Sequence, residues 1–276
     1  MAKKLAVAVI HGMGQQIKKD PMDSAEISFS RALRDRLRVD LGSHAFDAGI
    51  AWREIYWAHE LQPRQDAYEA AMRKVSSFGW LRRFVMHRLS DAGSYYKPEK
   101  LPGSTYDKVH GHIERVIAEL EADVPPGTPL LLIAHSLGGH MLSNYIWDVT
   151  HGSRPVPGGF QSFESFAGFV TFGCNIPVFV FAHDKVTPIQ FPGFGGVAPV
   201  SPWWRNYYSR SDPLGYPLKP IGFGYADLAE AGGLRDYPIA VGFPVIESLT
   251  PLSHNAYWRD RGFARRVAGF MRDIMG

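Results

Sequence analysis

A serine stands between an apolar run and two glycines in Leu132-Ile133-Ala134-His135-Ser136-Leu137-Gly138-Gly139-His140. A serine hydroxyl can attack a carbonyl when a base takes its proton and an acid orients that base. The histidines that follow it are His140, His151, His183 and His254. His140 falls inside the helix expected after Ser136 and points the wrong way. His151 falls at the end of that helix, and His183 follows the apolar run Pro177–Ala182. His254, in Pro251-Leu252-Ser253-His254, precedes a C-terminal helix, where a late loop can swing over the serine. It is the first candidate for the base and His183 the second. For the acid, Asp212 closes a short strand and is stiffened by Pro213, with Asp184 and Asp227 as rivals; the plainer reading of Asp212 is an Asx-Pro turn.

The elements around these residues must aim them. Pro129–Ala134 is expected as a buried strand and Gly138–Asp148 as a helix, so the chain turns from one to the other within His135-Ser136-Leu137. So tight a turn strains its central residue, and the positions two before and two after, Ala134 and Gly138, must be small. It lifts the Ser136 hydroxyl above the carboxyl end of the sheet and places the Leu137 N–H at a helix N-terminus, where it can stabilise an oxyanion. Gly139 lets a second chain come close. His11-Gly12-Met13-Gly14 follows the expected first strand, Leu5–Ile10. In a doubly wound sheet that loop lies beside the elbow, so the Met13 N–H is the second candidate oxyanion donor. The competing readings are a flexible turn or a phosphate loop, but neither Gly-Lys-Ser/Thr nor Gly-x-Gly-x-x-Gly is present.

Further expected helices are Asp23–Leu41, two pieces over Gln65–Leu89, Ser104–Leu120 opened by Ser104 and Asp107, and Asn255–Ile274. Further strands are Gly49–Trp57, Gly168–Gly173, Arg205–Ser209 and, more weakly, Tyr237–Val241. Strands alternating with helices point to α/β, with one domain over 1–276. The net charge of +3 comes without a dense Lys/Arg block, which speaks against nucleic acid as a partner. The lone Cys174 can form no internal disulfide, and Leu5–Ile10 is too short for a signal core, so the cytoplasm is the expected location. Cys174 reads as a small buried residue. His110-Gly111-His112 places two rings on diverging sides of a helix with no carboxylate at zinc spacing, so neither a metal nor any other cofactor is expected.

Taken together, HGMG at 11–14, AHSLGG at 134–139, TFG at 171–173, SDPLG at 211–215 and SHNAYW at 253–258 resemble the α/β-hydrolase superfamily, within it the serine esterases and lipases. The resemblance implies an α/β-hydrolase fold, with a mostly parallel central sheet, helices on both faces and a helical cap insertion at 58–103. It implies Ser136 as nucleophile, Asp212 as acid, His254 as base, and Met13 and Leu137 as oxyanion donors. His11, Gly12, Gly14, His135, Gly138 and Gly139 would support the elbow and the oxyanion loop. Ala134 for the elbow's usual glycine and Cys174-Asn175 after Thr-Phe-Gly are departures; the second favours a general esterase over a lipase. The expected partner is a small-molecule ester or acyl substrate. A thioesterase, an amidase, an acyltransferase or a non-catalytic binding protein are the alternatives. Trp80–Leu89 puts Leu81, Phe84, Val85 and Leu89 on one side and Arg82, Arg83, His87 and Arg88 elsewhere. That pattern suits a cap over an acyl pocket, with contact to anionic lipid as the lesser reading and a core-packed helix as the plain one.

Overall fold

The computed structural model describes residues 2–12, 19–73, 93, 95, 101–180, 186–193, 199–242 and 251–276. Six parallel strands form one sheet in the order β2-β1-β3-β4-β5-β6. They are β1 (Leu5–Ile10), β2 (Ile50–Ile55), β3 (Leu130–His135), β4 (Phe166–Phe172), β5 (Trp204–Tyr208) and β6 (Leu234–Pro238). Parallel neighbours need crossovers. Those described are α1 (Arg31–Leu41) with α2 (Ser43–Gly49), α3 (Gln62–Arg73) with α4 (Thr105–Ala122), α5 (Leu137–Thr150), α6 (Ile176–Val180) and α7 (Phe223–Glu230). The chain closes with α8 (Pro251–Ala256), a 3-10 turn at Tyr257–Arg259 and α9 (Arg261–Met275).

Strands β1, β3 and β4 are buried along their whole length. That is why each reads as an unbroken apolar run and not as an alternation: both faces of a parallel sheet are covered. The alternation survives in what each side chain meets. Ala6, Ala8, Ile10, Leu130, Leu132 and Ala134 share one core with α4 and α5. Leu5, Val7, Val9, Leu131 and Ile133 share the other with α1, α2 and α9. Among the described residues, no helix is long and apolar enough to cross a membrane.

Three expectations about elements are corrected. The first helix begins at Arg31, not Asp23. Its expected first turns are diverted because the buried Glu54 carboxylate accepts the N–H and hydroxyl of both Ser28 (3.0 and 2.6 Å) and Ser30 (2.8 and 2.6 Å). Side-chain acceptors of this kind compete with the helical ladder. The last strand lies at Leu234–Pro238, earlier than 237–241, where it pairs with β5. The C-terminal helix is divided: Asp260 is extended (φ −80°, ψ 127°) and its carboxylate accepts the Phe263 N–H at 2.6 Å, capping α9 afresh. His254 therefore sits in the short helix α8 and not in a loop.

Of the expected cap insertion 58–103, the described part is 58–73, with the 3-10 turn Ala58–Glu60 and α3, residues 93 and 95, and 101–103. Trp80–Leu89 lies outside the described residues. Tyr95 is buried and shares a 2.8 Å hydrogen bond with His110 Nε2 of α4. Just before the insertion, Trp52 of β2 and Trp57 belong to the cores. Truncating Glu54 to Ala would leave the Ser28 and Ser30 donors without this acceptor and is expected to lower stability by about 3 kcal/mol. Urea unfolding measures this, and an unchanged midpoint would show that Glu54 does not hold the 28–30 segment.

Candidate active site

Ser136 is the single residue between β3 and α5, and its backbone is left-handed (φ 56°, ψ −127°). Strand pairing fixes one side: His135 is in register with Phe172, and the Ser136 N–H donates to Phe172 O at 3.0 Å. The helix fixes the other, with Leu137 as its first residue and the Gly139 N–H donating to Ser136 O at 3.0 Å. A reversal this sharp costs a non-glycine residue about 1–3 kcal/mol, which the flanking structure must offset. The Leu137 N–H, at the first position of α5, has no carbonyl four residues back within the helix. Ser136 is fully buried, and its hydroxyl has no hydrogen-bond partner among the described residues.

Two close approaches depend on glycine. A Cβ on Gly138 would lie 2.7 Å from His11 O, so β1 passes directly against the start of α5. A Cβ on Gly12 would lie 2.3 Å from Ser136 Cβ and 3.0 Å from its Oγ, which puts the Gly12 backbone against the serine. The second chain that Gly139 admits is the end of β4 and its exit, at Thr171 and Cys174. His11 holds the loop that carries Gly12. Its Nδ1–H donates to Gly12 O at 2.7 Å, and its Nε2 accepts the Trp57 N–H at 3.3 Å, which together define the neutral Nδ1–H tautomer. The Trp57 indole stacks on the imidazole (centroids 5.1 Å, 7°) and donates to His11 O at 3.1 Å. Met13 and Gly14 lie outside the described residues.

His254 and Asp212 form a buried pair, with His254 Nδ1 3.0 Å from both carboxylate oxygens. Asp212 Oδ1 also accepts the Leu214 N–H at 2.9 Å, and Oδ2 accepts the Tyr257 hydroxyl at 3.0 Å. Burial alone pushes this carboxyl upward, but the hydrogen bond and charge of His254, with the Leu214 and Tyr257 donors, outweigh it and hold Asp212 below the usual carboxylate range. Gly173, which follows β4, adjoins both partners: a Cβ there would lie 3.2 Å from Asp212 Oδ2 and from His254 Cε1. Phe172, whose carbonyl takes the Ser136 N–H, is the residue before it. His135 completes the link, donating from Nε2 to His254 O at 2.8 Å with its ring 4.6 Å from the His254 ring. The serine turn and α8 are thus tied together through His135 and through the Phe172–Gly173 segment.

The rivals are placed elsewhere or lie outside the description. His140 stacks on Phe179 (4.7 Å, 14°), and His151 is exposed at the end of α5 against Trp147. Asp227 is exposed in α7, while His183 and Asp184 are outside the described residues. The Cys174 thiol is buried, and burial pushes its pKa up to about 12, which removes it as a competing nucleophile near neutral pH.

Sequence reasoning missed Tyr257. Its hydroxyl donates to Asp212 and accepts the Ser209 N–H at 2.8 Å, so it braces the Asp212 carboxylate. The available signal was its position three residues after His254, nearly one helical turn on. A separate cavity of about 550 Å³ opens at the amino-terminal end of β1 and β2, lined among others by Lys4, Phe46, Ile50 and Met275. It lies at the opposite end of β1 from Gly12.

The strand order, the left-handed serine between β3 and α5, and helices on both faces define an α/β-hydrolase fold. No family model matches the chain, and no curated protein is similar to it in sequence. Among solved structures, the chain is similar to esterase PE8, at 12% identity and TM-score 0.40 over 99% of this chain and 94% of that one. It is similar to SOBER1 from Arabidopsis thaliana, at 11% and 0.42 over 98% and 99%. A lipase/esterase from Lactobacillus plantarum matches at 8% and 0.42 over 99% and 88%. These likenesses are distant, and the fold assignment stands on the chain's own strand order and turn geometry.

The Asp212 environment sets a pH dependence. Near the ordinary carboxylate pKa of about 4, the unfolded chain binds more protons at this residue than the folded one. Its stabilising contribution is complete above that value and is lost as pH falls through the lower folded value. The stability difference between wild type and Asp212→Asn should therefore be largest at neutral pH and shrink below about pH 4. Unfolding curves from pH 7 to acid test this; parallel curves would show that the carboxylate is not held as described.

Proposed function

We propose that the chain is a serine hydrolase that cleaves carboxylic esters through an acyl-enzyme. The observation that carries this reading is the conjunction of a buried serine at φ 56° between strand and helix with a buried His254–Asp212 pair on the neighbouring segment. In this reading Ser136 Oγ attacks the ester carbonyl and His254 Nε2 takes its proton. Asp212, bonded to Nδ1, orients the ring and balances the imidazolium that forms. The negative charge developing on the carbonyl oxygen is received by the Leu137 N–H and by the Met13 N–H, the latter supported by the approach of its neighbour Gly12 to Ser136. The tetrahedral intermediate then collapses, and the alcohol leaves with the proton from His254. Water, deprotonated by the same ring, attacks the acyl-enzyme to release the acid and restore Ser136.

The segment 58–103 acts in this reading as a cap over the acyl group. Its support is Trp57, which meets the oxyanion loop through His11 immediately before the segment begins. The substrate is accordingly a small ester or acyl compound.

Two variants test the proposal. Ser136→Ala is expected to abolish labelling by a fluorophosphonate and to lower p-nitrophenyl ester turnover on the order of 10⁴-fold, with folding intact. Gly12→Ala, whose methyl would crowd the nucleophile, is expected to lower kcat about 10²- to 10³-fold. A folded wild type that neither labels nor turns over esters of any acyl length would sink the hydrolase reading.

A further inference from the structure

His110-Gly111-His112 lies on α4, and the two rings part as a spacing of two residues requires. His110 turns into the core against Tyr95 and Tyr106. His112 turns the other way, towards the 3-10 turn after β2, and there it meets a carboxylate that no local spacing supplies. Its Nε2 lies 2.8 Å from Glu60 Oε1, which is 3.4 Å from His59 Nε2. The two imidazoles face each other edge to face at 4.7 Å. One ligand atom from each of the three residues lies within 4.8 Å of the others.

We propose that His59, Glu60 and His112 bind one divalent transition-metal ion of the zinc class, as a clip between the start of the 58–103 segment and α4. Two imidazole nitrogens and a carboxylate oxygen are a donor set of borderline softness, suited to zinc in preference to calcium or magnesium. Bonds of about 2.0–2.1 Å in a tetrahedron place donor atoms roughly 3.3 Å apart. The separations of 2.8 and 3.4 Å on either side of Glu60 Oε1 bracket that edge. The three side chains are partly buried, 23%, 16% and 11% exposed, which leaves an approach for the ion and room for a water as fourth ligand. Lys108 Nζ occupies the other Glu60 oxygen at 3.0 Å and so leaves Oε1 as a single-oxygen ligand. Its positive charge also opposes the ion and tempers the affinity.

The clip joins parts of the chain 52 residues apart in sequence, so the ion restricts a long loop of the unfolded chain and stabilises the fold. It also bears on the site already described. Tyr56 stacks on His59 (5.5 Å, 13°) and packs on His11 (5.3 Å), so one ring separates the clip from the loop that carries Gly12. The role is structural, and it does not depend on Ser136 being a nucleophile.

The test uses the untagged full chain, stripped of metal by a chelator and titrated with Co²⁺ and Zn²⁺. One equivalent should bind, with the visible bands of four-coordinate cobalt. At a hundredfold excess of free zinc over Kd, Tm should rise by roughly 5 °C. His59→Gln and Glu60→Gln, measured singly, should each weaken binding at least tenfold and blunt the rise, while the metal-free Tm stays near that of the wild type. Lys108→Ala should tighten binding. The absence of saturable one-to-one binding to the wild type overturns the proposal, and so does undiminished binding in both ligand variants. His112→Gln is a third ligand variant; if it fails to fold, the two single variants already decide.

Discussion

The left-handed backbone of Ser136 is the constraint on which the rest of this site depends. A parallel strand and a helix are joined there through one residue, and the cost of about 1–3 kcal/mol is not recovered locally. It is offset by the pairing of β3 with β1 on one side and β4 on the other, which fixes the strand end, and by the packing of α5 on the same core. Because both elements are held, their junction has no softer conformation available. The same crowding brings β1 against Gly138 and the following loop against Ser136. A hydroxyl presented by so constrained a turn, with the Gly12 backbone against it, is held in one place by the packing around it.

The His254–Asp212 pair poses the opposite problem. Taking a carboxylate out of water costs several kcal/mol unless its lone pairs are satisfied. Here four contacts to three donors share the two oxygens: both oxygens face His254 Nδ1, Leu214 N–H takes one and the Tyr257 hydroxyl the other. Tyr257 is useful twice, since its oxygen accepts the Ser209 N–H while its proton goes to Asp212. Division of the last helix at Asp260 makes this possible: α8 and the turn after it carry His254 and Tyr257 against the sheet, and α9 is free to pack its own apolar stripe.

Aromatic contacts join these parts. His11 meets Phe29, Tyr56 and Trp57, and Phe29 in turn meets Trp258, two residues beyond the 3-10 turn's boundary with α8. Phe29 lies between the two serines that Glu54 holds. The segment around Phe29, His11 at the end of β1 and the C-terminal elements are therefore packed together, and a carboxylate inside β2 orders the residues on either side of Phe29.

The sequence by itself determined most of the elements and singled out the candidate residues, because those signals are local. Unbroken apolar runs announce doubly covered strands such as β1 and β3, and Ala134-His135-Ser136-Leu137-Gly138 encodes its turn within five residues. Asp212 and His254 were legible from strand-end and pre-helix positions, though the helix around His254 was not, since Asp260 caps α9 through a single side-chain contact. What only the tertiary structure decided are relations between residues far apart in the chain. Tyr257 braces Asp212 across 45 positions, His135 holds the His254 carbonyl across 119, and Glu60 meets His112 across 52. No periodicity records such pairings, because each depends on the sheet order and on which face of a helix is turned inward, and both are settled by burial of the two cores together.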